Sequence, residues 1–145
     1  MDAGTVFAIS ASGLRAQRLR MDVIAANLAN AQSTRTPAGG PYRRRDVILE
    51  ATPQGESFDD LLAPAGAENP AVRVTRVVQD PRPPQLVFDP GHPDADQNGY
   101  VAMPNVNVVS EMVDMMAATR AYEANVAALQ ATKRVLEAAL EIGKA

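Results

Sequence analysis

All 11 prolines of the 145-residue chain fall between Pro37 and Pro104, leaving residues 1–36 and 105–145 without one. Proline removes a backbone donor and clashes with the preceding helical turn, so only the two ends can carry long helices. Both ends also carry an apolar repeat of seven. At one end Phe7, Leu14, Met21 and Leu28 recur at that interval, with Ile24 three residues after Met21. At the other, Met115, Tyr122, Leu129 and Leu136 form one line, and Met112, Val126 and Leu140 form a second that Thr119 and Lys133 interrupt. Such spacing predicts amphipathic helices over about 3–31 and 107–142, their stripes packed in a coiled-coil-like arrangement. Leaving about eight large stripe residues in water would forgo ~10–20 kcal/mol, at ~1.5–3 each. That equals or exceeds the ~5–15 kcal/mol by which a domain is stable, so the stripes must be covered.

The predicted fold is mainly α, with a Pro/Gly-rich centre that contains short strands. Three regions follow: an N-terminal helix in 1–36, a loop and β segment in 37–104, and a C-terminal helix in 105–145. Asn107 or Ser110 can cap the last helix, and Glu111 and Asp114 suit its positive end. Alanines at 117, 118, 121, 124, 127, 128 and 131 favour helix and let neighbours approach closely. Gly13 costs a helix about 1 kcal/mol against alanine and fits a place where another backbone comes close. In the centre, 46–51, 72–78, 85–89 and 100–103 read as strands, β-branched or aromatic and bounded by turn residues. Asn98-Gly99 reads as a tight turn. Residues 52–70 read as a mobile loop holding a brief helical turn at 58–62.

Composition narrows the function classes. A net charge of −3 is not that of a nucleic-acid binder, whose binding face is strongly basic. Arg43, Arg44 and Arg45 would alternate faces on a strand instead of forming one patch, so pairing with carboxylates of adjacent subunits is the expected use of the arginines. The absence of cysteine excludes disulfides and thiolate metal sites. No run approaches the ~18–20 apolar residues of a membrane span, and no basic-then-apolar leader opens the chain. On these grounds alone the location would be the cytoplasm.

The residues that invite a chemical reading do not sustain one. Residues 94–99, D-A-D-Q-N-G, copy the opening of a calcium loop, but the closing bidentate glutamate would fall at Asn105. A turn in which short polar side chains bond their own backbone is expected there instead. His92 is the single histidine, and no strand–G-x-S-x-G–helix context accompanies it, so a hydrolase built on His92, Asp94 and Asp96 is a weak rival. No catalytic residue, metal or cofactor is expected. Asn27 and Asn30, in A-N-L-A-N-A, read as helix-ending asparagines that tolerate the left-handed cap. Arg120 and Glu123 read as a solvated i,i+3 pair, with Tyr122 in the seam.

The same residues carry a family likeness. S-G-L-R-A-Q-R-L-R-M-D-V-I-A-A-N-L-A-N-A (12–31) and R-A-Y-E-A-N-V (120–126) are similar to the terminal signatures of flagellar axial proteins. G-G-P-Y-R-R-R (39–45), V-R-V-T-R-V-V-Q-D-P (72–81) and D-P-G-H-P-D-A-D-Q-N-G-Y-V-A-M-P-N-V-N-V-V (89–109) resemble the bacterial flagellar basal-body rod proteins of the proximal, FlgC type. Asn27, Asn30, Asp89, Gly91, His92, Asn98, Gly99, Asn105, Asn107, Arg120, Glu123 and Asn125 stand at matching positions. Ser110 departs from the pattern, where an acidic residue is frequent.

The resemblance implies a non-enzymatic structural subunit of the rod that crosses the periplasm and transmits torque. It further implies export through the flagellar type III apparatus without a cleaved signal, which replaces the cytoplasmic reading. The implied partners are copies of itself, other rod proteins, the MS-ring/rod adaptor and surrounding rings, and the export apparatus during secretion. Phe7, Leu14, Met21, Ile24, Leu28, Met112, Met115, Tyr122, Val126, Leu129, Leu136 and Leu140 become candidate packing positions within and between subunits. The alternative is a soluble helical adaptor with a small β platform.

Overall fold

The computed structural model describes residues 3–53 and 70–143. Two long helices bracket two β-hairpins. Helix α1 spans Ala3–Ala29, strands β1 to β4 span Arg45–Pro53, Pro70–Gln79, Gln85–Phe88 and Tyr100–Met103, and helix α2 spans Val108–Ile142. At 1.5 Å per residue α1 is about 40 Å long and α2 about 52 Å. The predicted strands therefore form, each within two residues of its expected bounds at either end. Thr52, Pro53 and Pro70 belong to strands, whereas the rest of the expected loop, with its helical turn at 58–62, lies outside the described residues.

The helices run antiparallel. Asn27 meets Glu111, Met21 meets Thr119, and a Cβ on Gly13 would lie 3.0–3.2 Å from the Asn125 side chain. Their shared seam is narrow because it is lined with small residues: Ser10, Gly13 and Ala16 on α1, and Ala118 on α2, are buried. Gly13 thus does what its cost in helix propensity implied, admitting Asn125 at close range.

The two predicted lines on α2 differ in how far they are covered. Met115, Tyr122, Leu129 and Leu136 face the seam partly covered, but their companions are Glu111, Ala118, Asn125 and Thr132. Met112 and Leu140 are 56% and 66% exposed, and Val126 is half-buried. The reason is steric. A close antiparallel approach favours the line with small or polar side chains over the bulkier one that hydropathy selects.

Helix α1 is covered on a second side by the β1–β2 hairpin. The Ser12 hydroxyl accepts from the Val72 amide at 3.1 Å and donates to the Ile9 carbonyl at 2.6 Å, tying helix to strand. The strands pair antiparallel from Arg45↔Gln79 to Pro53↔Pro70, with a bulge between Ile48 and Leu49. The second hairpin pairs Gln85↔Met103 through Phe88↔Tyr100. Val101 is fully buried, while Leu86 and Phe88 are 70% and 63% exposed.

The residues between β3 and β4 form the expected turn. Asp96 Oδ1 accepts from the amides of Asn98 and Tyr100 at 2.8 Å each, and Gly99 takes a positive φ of 80°. A Cβ there would stand 3.0 Å from the Phe88 ring, so the position needs glycine twice over. Asn107, of the two candidate caps, is the one that closes α2, accepting from the Ser110 amide at 3.1 Å.

Candidate assembly surface and its buried anchor

The most constrained point of the molecule is polar. Asn27 is fully buried, and its amide makes four bonds. Nδ2 donates to the Arg45 carbonyl at 2.8 Å and to Glu111 Oε2 at 2.9 Å. Oδ1 accepts from the Arg45 amide and from the Tyr42 hydroxyl, both at 2.9 Å. The side chain therefore pairs with Arg45 as a peptide group pairs across a sheet, and it seats the start of β1 on α1. Both amide donors and both carbonyl lone pairs are used, the condition under which burying such a group is tolerated.

Glu111, 1% exposed, is the second member of this cluster. Its Oε1 accepts from Arg44 Nε at 2.5 Å, and Arg44 also reaches Asp46 at 3.3 Å and Asp114 at 4.0 Å. Burial opposes the Arg44 charge, but the Glu111 hydrogen bond and its attraction outweigh it and lift the guanidinium above its usual value. Burial, aided by the Glu111 charge, raises the Tyr42 hydroxyl against the lowering effect of Arg45 and Arg44. Tyr42 accordingly stays a neutral donor.

Three sequence readings are corrected here. Asn27 is no left-handed cap, since no non-glycine residue among those described has positive φ. Glu111 is not merely a dipole partner on the surface. Arg44 is spent inside its own chain, as is Arg20, 3.8 Å from Asp114, so these two are not reserved for adjacent subunits. The local sequence hid this because Asn27 and Glu111 stand 84 residues apart. One signal could have found it: Glu111 lies four residues before Met115 on the seam, and Asn27 three after Ile24, both odd places for polar groups.

The other family-signature positions divide between turn and surface. Asn30 donates to the Ala26 carbonyl and accepts from Ser33, ending α1. Asp89 accepts from the Gly91 amide, His92 Nδ1 from the Asp94 amide, and Asn105 from Gln85. Asp94 accepts from Thr34 and is ion-paired to Arg35, and the Thr34 bond with the Arg35 charge holds its carboxyl below the usual range. It is committed to bracing the loop at 34–35, consistent with a structural turn. Arg120 and Glu123 are exposed, and among the described residues they form no ion pair with each other, contrary to expectation. Asn125 donates to the Ala121 carbonyl beside Gly13.

The outer side of α2 is apolar and open. Val109, Met112, Val113 and Met116 follow the i, i+3, i+4, i+7 spacing of one helix face, and are 71%, 56%, 55% and 55% exposed. Further along, Val135, Leu140 and Ile142 are 68%, 66% and 78% exposed. Phe7, Leu14, Met21 and Leu28 on α1 are half-buried, and Ile24 is buried. No helix among the described residues is long and apolar enough to cross a membrane.

Comparison with known proteins decides what this scaffold is. Residues 7–35 match the model described as flagella basal body rod protein, and 97–142 match the flagellar basal body rod FlgEFG protein C-terminal model. The chain is 46% identical over 144 residues to the flagellar basal-body rod protein FlgC of Bacillus subtilis, covering 94% of this chain and 95% of that one. It is 43% identical to that of Borreliella burgdorferi (92% and 93% covered) and 41% identical to that of Salmonella typhimurium (96% and 96%). The chain belongs to the FlgC-type flagellar basal-body rod proteins. It is thus a structural subunit of the basal-body rod, as the terminal and central motifs implied. The two family models coincide with the two helices and the segments that flank them, so α1 and α2 carry the family character.

Proposed function

We propose that this chain is a non-enzymatic part of the proximal rod and transmits torque through stiff helix packing. The observation that carries this reading is an apolar face with no cover among the described residues, Val109–Met112–Val113–Met116, on a helix whose opposite face is already occupied by α1. A helix apolar on two sides belongs in an interior, and a single chain with two long helices has none large enough. Neighbouring rod subunits, with their own paired helices, supply the missing layer. The seven-residue seam makes the α1–α2 pair coiled-coil-like, which suits a tube of many such pairs. The partners are copies of this chain and other rod proteins, with the ring adaptor and surrounding rings nearby. Glu123, which is exposed, makes lateral polar contacts in this reading. The subunit passes through the flagellar export apparatus unfolded, without a cleaved signal, and is built into the rod across the periplasm. The three-part division at 36 and 105 then separates axial helices from an outward-facing centre.

Circular dichroism of the dilute chain against assembled material tests the mechanism. Ordering on assembly predicts a monomer in which the α1–α2 pair forms but its outer ends are frayed, so that helicity lies below the structure's content and rises on incorporation. Full helicity in the dilute monomer would contradict coupled ordering. A discrete small oligomer by sizing and electron microscopy would favour a soluble adaptor instead.

A further inference from the structure

Heptad seams are degenerate. Moving one helix along the other by seven residues, about 10 Å, sets equivalent positions opposite each other again. In the α1–α2 pair a shift that brought Glu111 to the level of Arg20 would leave Leu14, Met21, Met115 and Tyr122 in similar apolar company. Ala118 would then lie at the level of Gly13, where a methyl group is easily received. Apolar packing discriminates poorly between these arrangements. The polar cluster discriminates sharply. After the shift Asn27 would lie level with residue 104, ahead of α2, and Arg44 and the Asn27 amide would both lose Glu111.

We infer that the buried cluster Asn27–Tyr42–Arg44–Glu111 is the register lock of the two helices. Its members come from α1, from the segment entering β1, and from the first turns of α2. One geometry alone satisfies all of them, because every donor and acceptor of the Asn27 amide is engaged there. Leaving any of these groups buried and unpaired penalises a slipped pair, even where the slipped seam is equally dry. Asn27 also holds the backbone of Arg45, so the lock sets where the β1–β2 hairpin sits along the helices. In the rod reading, on which this consequence rests, the lock fixes how far the exposed end of α2 stands from the hairpin, and so the spacing a neighbour must meet.

The chain contains no cysteine, so engineered disulfides report register without background. Met21 Sδ and Thr119 Oγ1 are 3.6 Å apart, which makes Met21→Cys with Thr119→Cys the native reporter. Met21→Cys with Met112→Cys, and with Val126→Cys, report slips of one heptad in either direction. Under mild oxidation of the full-length purified chain the native pair is expected to cross-link about tenfold or more faster than either slipped pair. With Asn27→Leu, Arg44→Met and Glu111→Met combined, that preference is expected to fall to about threefold or less. A preference unchanged in the triple variant, or no native cross-link in the parent chain, overturns the lock. Should the triple variant fail to fold, Glu111→Gln, which keeps a carbonyl for one of the two donors, is compared with Glu111→Met. Retention in the first and loss in the second is expected, and equal preference in the two overturns the proposal. These readouts concern one molecule, whereas membership of the rod is read from motility, so the two can fail separately.

Discussion

At the scale of single residues, polar side chains do more fixing than apolar ones. Asp80 shows it at the mouth of the first hairpin, where Arg82 binds its carboxylate through three bonds of 2.5–3.0 Å and through its own amide at 2.9 Å. The Arg82 hydrogen bonds hold the Asp80 carboxyl down at about 2, against an ordinary 3.8. A carboxyl lowered by folding contributes stability that is complete above its unfolded value and fades as pH falls through the folded one. The contribution should therefore disappear between roughly pH 4 and pH 2. A carbon-detected NMR titration is expected to place Asp80 near the low end of that window in the native chain. Arg82→Ala is expected to return it to the ordinary carboxylate range. The opposite case is Gln17, whose buried Oε1 has no hydrogen-bond partner among the described residues. That deficit sits in a helix whose interior is otherwise well satisfied.

At the scale of elements, legibility tracked the range of the forces involved. Strand bounds at Tyr100–Met103 and the Asn98-Gly99 turn could be read because local sterics decide them, and φ of 80° at Gly99 follows from the residue itself. The helices were legible from periodicity and the proline boundary. What could not be read was which second line of α2 faces α1, since Met112 and Glu111 are neighbours and hydropathy prefers the methionine. The choice went to Glu111 because Asn27 and Arg44 receive it and because Ala118 and Asn125 allow contact with Gly13. That contact carries a prediction. Gly13→Val would drive branched carbons into Asn125 and is expected to destabilise the helix pair by about 1–3 kcal/mol, the usual cost of overpacking. Asn125→Ala alone is expected to cost less, and the double variant to recover part of the Gly13→Val loss. Chemical denaturation of the four proteins gives the coupling directly. Additive losses would show that the two residues do not press on each other.

At the scale of the whole molecule, the surface is too large for the mass. A compact monomer of 15.4 kDa exposes about 7,200 Å² by the usual scaling, and this chain exposes 10152 Å². Its buried apolar side chains, among the described residues, are Ala16, Ile24, Val101, Val106 and Ala118. Two of those five are alanines, a thin core for two helices of about 40 and 52 Å. The proposed assembly accounts for this: in it the fold is a piece of wall whose interior is completed by its neighbours. The outer face of α2 should then matter to assembly and not to the chain's own stability, a separation that a self-sufficient globule would not show. Val113→Glu with Met116→Glu places two charges on that face, where both side chains are more than half exposed. In the isolated chain the pair is expected to change unfolding free energy by no more than about 0.5 kcal/mol per site, as exposed substitutions do. In a flagellated cell carrying only this copy, it is expected to abolish swimming and to leave basal bodies without a completed rod in electron micrographs, because burying an unpaired carboxylate between subunits is prohibitive. Normal motility with wild-type rods would mean that α2 keeps this face in water and that the wall closes through some other surface.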